Sequence, residues 1–410
     1  MKARPAALIL LNAVLRDRQI LGQVEVPAVG AEAARANRLA LAVLRNLGAV
    51  DALLRPYTQR KPQIGVHNIL RLGAVELLVN GEDAHGVVSD LVGIAKTQPQ
   101  TRKAQGMVNA ILRKVATEGP EAWAKTQPQR LPPWLDKALR KRIGAEGIKA
   151  IEAAQAQVPP IDLTPRDSDF TLEGADVLPT GSLRLHNHPQ VSALPGYADG
   201  KFWVQDAAAA LPVKLLGDVA GKSVLDICAA PGGKTMQLAA AGAEVTALDI
   251  SGPRMKRVAE NLGRTQLSAN LVTEDALHHQ GSYDAILLDA PCSATGTIRR
   301  HPDLPFVKTG DEIEPLTKLQ MQLIDHALTL LKPGGTLVYC TCSLLPVEGE
   351  FQIKAALKRH EDLSVVPTDP VALGGEPHWA SEAGGLRLWP SYWADKGGMD
   401  GFYMAALRRS

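Results

Sequence analysis

From Asp206 onward, short apolar runs alternate with segments of helical period, and no other feature of the chain constrains its fold so tightly. Such alternation implies a mostly parallel sheet, doubly wound with helices on both faces. The strand candidates are Lys222–Ile227, Ala243–Leu248, Asn270–Thr273, Ala285–Asp289 and Thr336–Cys340. An open sheet of this kind takes its ligands outside the carboxyl ends of the strands. Two of the runs lead there into thiols, through Ala290-Pro291-Cys292 and Thr341-Cys342-Ser343. One thiol at that edge can attack a substrate while the other manages the adduct, which points to nucleophilic chemistry on a base ring.

The 410 residues are enough for two or three domains, each with its own core. Residues 1 to about 120 carry helical periodicity and almost no strand signal: Leu8, Leu11, Val14 and Leu15 recur at i, i+3, i+4 spacing, as do Leu39, Val43, Leu44 and Leu47. Further helices are predicted around Val66–Leu78, His85–Ala95 and Gln105–Val115, with a short one near Leu135–Arg142. Residues 158–204 are irregular, rich in Pro, Gly and Asp, with weak strand signals at Ile161-Asp-Leu and Ser182-Leu-Arg-Leu. The expected division is an all-α domain over 1–135, a linker and small α+β subdomain over 136–205, and a Rossmann-like α/β domain over 206–410.

Charge is uneven along this division. Residues 1–150 hold 23 Lys and Arg against 12 Asp and Glu, whereas the remainder holds 22 against 31. A basic front half fits a polyanionic partner, although an Arg-rich helical domain without such a partner has the same composition. The four cysteines are too few for a disulfide framework. Met1-Lys-Ala-Arg and the apolar run after it resemble a signal peptide, but Arg16-Asp17-Arg18 follows at once with no small-residue cleavage site. An amphipathic first helix is expected instead. No apolar run reaches membrane-spanning length, so the expected location is the cytoplasm.

The first strand of the alternating half runs into Cys228-Ala-Ala-Pro-Gly-Gly-Lys-Thr235, a tight turn opening a helix over Met236–Ala241. Glycines let the backbone approach a ligand, and a helix N-terminus offers free N–H donors. Three nucleotide readings compete. A P-loop requires a glycine where Cys228 stands, although Gly233-Lys234-Thr235 fits and the run ending at Asp289 resembles a Mg²⁺-holding strand. A dinucleotide fingerprint is absent. S-adenosylmethionine is the third, and it alone uses the turn residues Cys228, Ala229, Ala230, Pro231, Gly232, Gly233 and Lys234 together with later carboxylates. Asp249 ends the second strand where a carboxylate can take ribose hydroxyls; Glu274-Asp275 ends the third, placed to meet the adenine. Taken singly, each of these aspartates is equally a solvated strand end.

Residues from about 205 to 407 resemble the RNA cytosine-C5 methyltransferase family. The resemblance rests on Val204-Gln-Asp206, Asp226-Ile-Cys-Ala-Ala-Pro-Gly-Gly-Lys-Thr235, Asp289-Ala-Pro-Cys-Ser-Ala-Thr-Gly296, Arg299-Arg-His-Pro-Asp303, Tyr339-Cys-Thr-Cys-Ser343 and Asp400-Gly-Phe402. The helical front part resembles the NusB-like RNA-binding domain of the Sun/RsmB branch, which acts on small-subunit ribosomal RNA. One departure from the family pattern is Leu304–Gly310, which lacks the expected Trp and basic residues. The resemblance implies a methyltransferase domain, S-adenosylmethionine as cofactor, and 16S ribosomal RNA as partner, other structured RNA remaining open.

The C5 carbon of cytosine becomes a good nucleophile once a thiolate has added to C6, which splits one hard step into easier ones. Spacing alone leaves open whether Cys292 or Cys342 attacks. The resemblance assigns attack to Cys342 and adduct breakdown to Cys292. Asp289 is placed to stabilise charge on the ring, with cofactor contact as a second role. Lys234 is expected near the methyl group. Arg299, Arg300 and His301, following the Cys292 loop, are expected to contact substrate. Cys340 reads as core and Cys228 as a turn residue valued for its backbone. Cys340-x-Cys342 lacks zinc spacing, so no metal is expected. The expected protein is a monomeric RNA methyltransferase; the rivals are a transfer-RNA methyltransferase, a P-loop ATPase and a non-catalytic RNA-binding module.

Overall fold

Among the described residues, seven α-helices lie within the first 156: Ala3–Leu15, Gly30–Arg45, Leu47–Leu54, Ile64–Leu78, Ala84–Thr97, Gln105–Trp123 and Pro133–Ala156. The computed structural model describes residues 1–58 and 60–410, and contacts divide them into two units. The first unit comprises residues 1–158 and 298–309. Its core gathers the periodic positions of the sequence: Leu8, Leu11 and Val14 from the first helix, Leu39, Val43 and Leu44 from the second, then Ile69, Leu91 and Leu112. Buried polar groups cross-link the helices. Arg71 forks onto both oxygens of Asp51 at 2.7 and 2.6 Å, and donates to Asn68, which donates in turn to Asn12.

The last helix is longer than the expected Leu135–Arg142. It breaks at Gly144, whose φ of 65° and ψ of −175° are non-helical, and then continues because Ile148 and Ile151 return to a buried face. Segment 298–309 packs with the helices: the Leu21 N–H donates to Asp303 at 2.9 Å, and Arg45 donates to the Arg299 carbonyl at 2.6 Å. Among the described residues, no helix is long and apolar enough to cross a membrane.

The second unit, residues 159–297 and 310–410, holds two sheets. The smaller consists of β1 (Ile161–Pro165), β2 (Asp176–Val177), β3 (Leu183–Leu185) and β4 (Phe202–Val204) in the order β2-β3-β1-β4, all antiparallel. Asp162 and Arg184 lie directly opposite each other in the ladder and form a bidentate ion pair, 2.7 Å at each contact and wholly buried. The Ala207 N–H donates to the same carboxylate. Removing one partner of a buried pair strands the other charge at a cost of about 3–5 kcal/mol. An Asp162→Ala variant should therefore lose stability of that order in urea unfolding, and a loss below about 1 kcal/mol would show Arg184 to be solvated.

The larger sheet contains β5 (Ser223–Ile227), β6 (Glu244–Asp249), β7 (Asn270–Thr273), β8 (Tyr283–Asp289), β9 (Leu331–Thr341), β10 (Leu363–Val365), β11 (Leu386–Leu388) and β12 (Phe402–Arg409). Its order is β10-β12-β9-β8-β5-β6-β7, with β11 beside β12. Strands β9, β8, β5, β6 and β7 are mutually parallel, as the alternation requires, and β10, β11 and β12 pair antiparallel at one side. Central positions such as Leu225, Ile286, Leu287 and Leu337 are fully buried, because helices cover both faces of a parallel core. From β5 the chain winds outward through β6 and β7, then restarts on the other side at β8. This reversal is the topological switch point, where ligands bind at the carboxyl ends.

Candidate active site

All five parallel strands deliver a polar or nucleophilic group at that edge. Strand β5 leads into Cys228, whose backbone is left-handed at φ 63°. Ala229 ties the turn back to β6 through its N–H on the Leu248 carbonyl at 3.0 Å. Gly232 takes φ 100°, and a Cβ there would stand 3.1 Å from Val258, so the turn needs glycine on both counts. The helix Gly233–Ala240 starts at this point, and Thr235 donates to Asp226 at 2.5 Å beneath it.

Asp249 closes β6 and accepts the Ala230 and Ser251 N–H groups at 3.2 and 3.0 Å. Arg254 pairs with it at 3.2 Å and also donates to the Ala230 carbonyl. Beyond β7, Asp275 accepts the Leu277 N–H at 3.0 Å. Beyond β8, Asp289 receives Lys234 at 2.7 Å on one oxygen and the Cys340 thiol at 3.5 Å on the other. Burial alone would lower the Lys234 pKa, but the Asp289 charge, the Cys340 charge, the hydrogen bond to Asp289 and the Asp226 charge together outweigh it and raise the pKa above the usual lysine value. Burial also raises the Cys228 and Cys340 thiols, Asp289 adding to both. Cys340 is therefore a core thiol, as its place on β9 implies.

Cys292 and Cys342 come together with their Sγ atoms 3.5 Å apart. The hydrogen bond to Cys342, then burial, then the charges of Cys342 and Glu348 hold Cys292 well above the usual thiol pKa. The loop is also locked from the closing motif: the Gly296 N–H donates to the Cys342 carbonyl, and Gly401 N–H to the Gly296 carbonyl, both at 2.9 Å. A Cβ on Gly296 would fall 1.9 Å from the Gly401 carbonyl oxygen, which leaves no room for a side chain.

A cleft of about 290 Å³ is lined by Cys228, Asp249, Asp275, Asp289, Cys292 and Cys342, with Leu248, Ala276, Leu319 and Leu323 as apolar walls. Of the sequence-predicted residues, this edge gathers the turn, the three aspartates, Lys234 and both thiols. Arg299, Arg300 and His301 belong to the helical unit instead, with Arg299 buried, Arg300 half-buried and His301 at the surface. Arg254 and Ile250 line the cleft without having been anticipated. Ile250 is 70% exposed, and an apolar side chain left in solvent just past a strand-end carboxylate is the signal that could have found it.

Asp226 carries a pH signature. Burial, opposed by the Thr235 hydrogen bond and the Lys234 charge and assisted by Asp289 and Asp249, raises it from 3.8 to about 7. The folded chain thus holds this proton more tightly than the unfolded one. That stabilisation is complete below about pH 4, declines as pH rises towards 7, and is constant above, a total of about 4 kcal/mol. Asp226→Asn should remove this component: in urea unfolding the variant gains on the parent between about pH 4 and 7. An unchanged difference across that range would show that Asp226 is ionised when folded.

The parallel core, its switch point and a nucleotide-sized cleft at the strand ends define a Rossmann-like methyltransferase fold. Solved structures agree on the fold. PH0851 superposes with a TM-score of 0.74 at 20% identity, covering 98% of this chain and 99% of that one. A methyltransferase homolog from Pyrococcus horikoshii gives 0.56 at 27% identity, covering 68% of this chain and 95% of its own. By sequence, residues 213–408 match the model described as 16S rRNA methyltransferase RsmB/F, and residues 1–117 match the NusB family. The chain belongs to the 16S rRNA methyltransferase RsmB/F family and is an RNA methyltransferase. Its relatives include "Ribosomal RNA small subunit methyltransferase B" of Vibrio cholerae, 35% identical over 90% of this chain and 87% of the relative. The protein of that name in Erwinia tasmaniensis is 35% identical over 92% and 90%.

Proposed function

We propose that the protein methylates C5 of a cytosine in 16S ribosomal RNA, with S-adenosylmethionine as methyl donor and a cysteine–C6 adduct as intermediate. The observation that carries this reading is the pair of thiols 3.5 Å apart beside Asp289 in the strand-end cleft. The names of the Vibrio cholerae and Erwinia tasmaniensis relatives, each a small-subunit ribosomal RNA methyltransferase, support the choice of RNA.

The residues fit the cofactor. Asp249 lines the cleft, and ribose hydroxyls would take the lone pairs that the half-exposed Arg254 side chain now shares with two backbone N–H groups. Ile250, Ala276 and Leu323 offer apolar surface for an adenine. S-adenosylmethionine, when bound, supplies an electrophilic methyl on a sulfonium sulfur. The Cys342 thiolate forms a bond to C6 of the cytosine, and the displaced π electrons make C5 nucleophilic. N3 takes up a proton as the thiolate adds. Asp289, held by Lys234, accepts hydrogen bonds from N3–H and the exocyclic amine, stabilising the positive charge that spreads over both when C5 is methylated. N3 gives that proton back when the ring is restored. C5 takes the methyl group, and a base removes the C5 proton. The C6–sulfur bond then breaks, its electrons returning to Cys342 as thiolate, and the ring regains its double bond.

Cys292 suits the proton step. Its hydrogen bond to Cys342 is the largest cause holding it protonated, and that cause is lost once Cys342 becomes a thioether. Cys292 then releases its thiol proton to solvent, and the thiolate takes the C5 proton. In this reading residues 1–135 hold the RNA, 136–205 connect, and 206–410 perform the chemistry, with the protein acting as a monomer in the cytoplasm.

The test is incubation with tritiated S-adenosylmethionine and protein-free 16S transcript, followed by nucleoside analysis. Label in 5-methylcytidine is the expected result. Label appearing only with transfer RNA would move the substrate, and cofactor binding without transfer to any RNA would overturn the reaction.

A further inference from the structure

The residues flanking both thiols are fastened to one buried carboxylate. Glu348 has no exposed surface and does not line the cleft. One of its oxygens accepts the Ser293 N–H at 2.8 Å and the Gln320 amide at 3.2 Å. The other accepts the Ser293 and Ser343 hydroxyls, both at 2.5 Å. Ser293 follows Cys292 and Ser343 follows Cys342. The preceding residues are held by neighbours of that carboxylate: Gln320 also donates to the Pro291 carbonyl at 2.8 Å, and the Thr341 hydroxyl donates to the Glu348 backbone carbonyl at 3.1 Å.

A carboxylate has about four lone-pair directions, and here four donors fill them. That degree of satisfaction is what makes a buried anion tolerable, and it turns the anion into a rigid node. The loop after β8 and the end of β9 are far apart in sequence, yet both converge on this side chain. Loss of the node would let each loop drift independently and widen the gap between the sulfurs.

We propose that Glu348 is the positioning residue that fixes the spacing of Cys292 and Cys342, a role that rests on the two-thiol reading above. It touches neither RNA nor cofactor, so its effect falls on the covalent steps and not on binding.

The test uses full-length protein and 16S transcript made with 5-fluorocytidine, whose fluorine cannot leave as a proton, so the adduct accumulates. Displacement by about 1 Å can cost about 100-fold in rate, and Glu348→Ala should slow adduct formation by about that factor. Its KM for S-adenosylmethionine should stay within about 3-fold, because uniform binding is untouched. Glu348→Gln should recover to within about 10-fold, since the serine hydroxyls can turn to accept from the amide. Should Glu348→Ala fail to fold, the Ser293→Ala/Ser343→Ala pair decides, with an expected slowing of about 10-fold at unchanged KM.

Parental rates of adduct formation in the Ala variant, or in the serine pair where that variant does not fold, would overturn the proposal. So would a loss of kcat matched by an equal loss of cofactor binding. A Cys342→Ala control separates the two levels. Adduct formed by that control would sink the thiol assignment itself, whereas an inert control beside fully active Glu348 variants would sink only the positioning role.

Discussion

Cys342→Ala is expected to form no covalent complex with RNA and to lose methyl transfer by about 10⁴-fold or more, the scale on which removal of an attacking nucleophile is felt. Cys292→Ala is expected to behave differently. Its Cys342 still attacks and C5 still takes the methyl group, but the C5 proton then has no nearby base, and RNA stays attached. Denaturing gels with labelled RNA distinguish the two: no shifted band for the first, a persistent band for the second. The asymmetry has a physical origin. Cys292 is held protonated by Cys342, by burial and by the Glu348 charge, so in the free enzyme it is the poorer nucleophile. Consumption of Cys342 lifts the first of those restraints at the moment a base is needed. Interchanged phenotypes would reverse both assignments.

The alternating half of the chain was readable because a parallel strand buried on both faces is a continuous apolar run. Each run from β5 to β9 ends on, or within two residues of, a carboxylate or a thiol, namely Cys228, Asp249, Asp275, Asp289 and Cys342. Position after a strand was therefore enough to gather them. The irregular stretch 158–204 gave weaker signals because β2 and β3 span only two and three residues, too short for a period to show. The Pro133–Ala156 helix was seen only up to Arg142, since Gly144 interrupts the pattern and the continuation buries just a few apolar side chains. Nothing local marks segment 298–309 as a partner of the helices, because its bonds to Leu21 and Arg45 are tertiary. Arg254 and Glu348 escaped for a related reason. A charged residue in a first helical turn or a Pro-Val-Glu-Gly loop reads as solvated until the fold shows what it faces.

Asp289 carries the second large effect, and here stability and catalysis should come apart. Its carboxylate answers to two demands: it neutralises Lys234, which is 8% exposed, and it presents charge to the cleft. Asp289→Asn keeps the shape but removes the charge, leaving a buried ammonium beside an amide. The variant should lose about 2–3 kcal/mol in urea unfolding, below the usual cost of breaking a buried pair because Asp289 is 31% exposed. Methyl transfer should fall by about 10²–10³-fold as the developing ring charge loses its partner. Replacing both residues, Lys234→Met with Asp289→Leu, removes the stranded charge as well, and apolar substitution of a buried pair is often neutral. The double variant should therefore regain most of the lost stability while remaining inactive. If it regained activity too, the carboxylate would matter only as a structural counter-ion, and stabilisation of the cytosine ring would have to come from another group in the cleft.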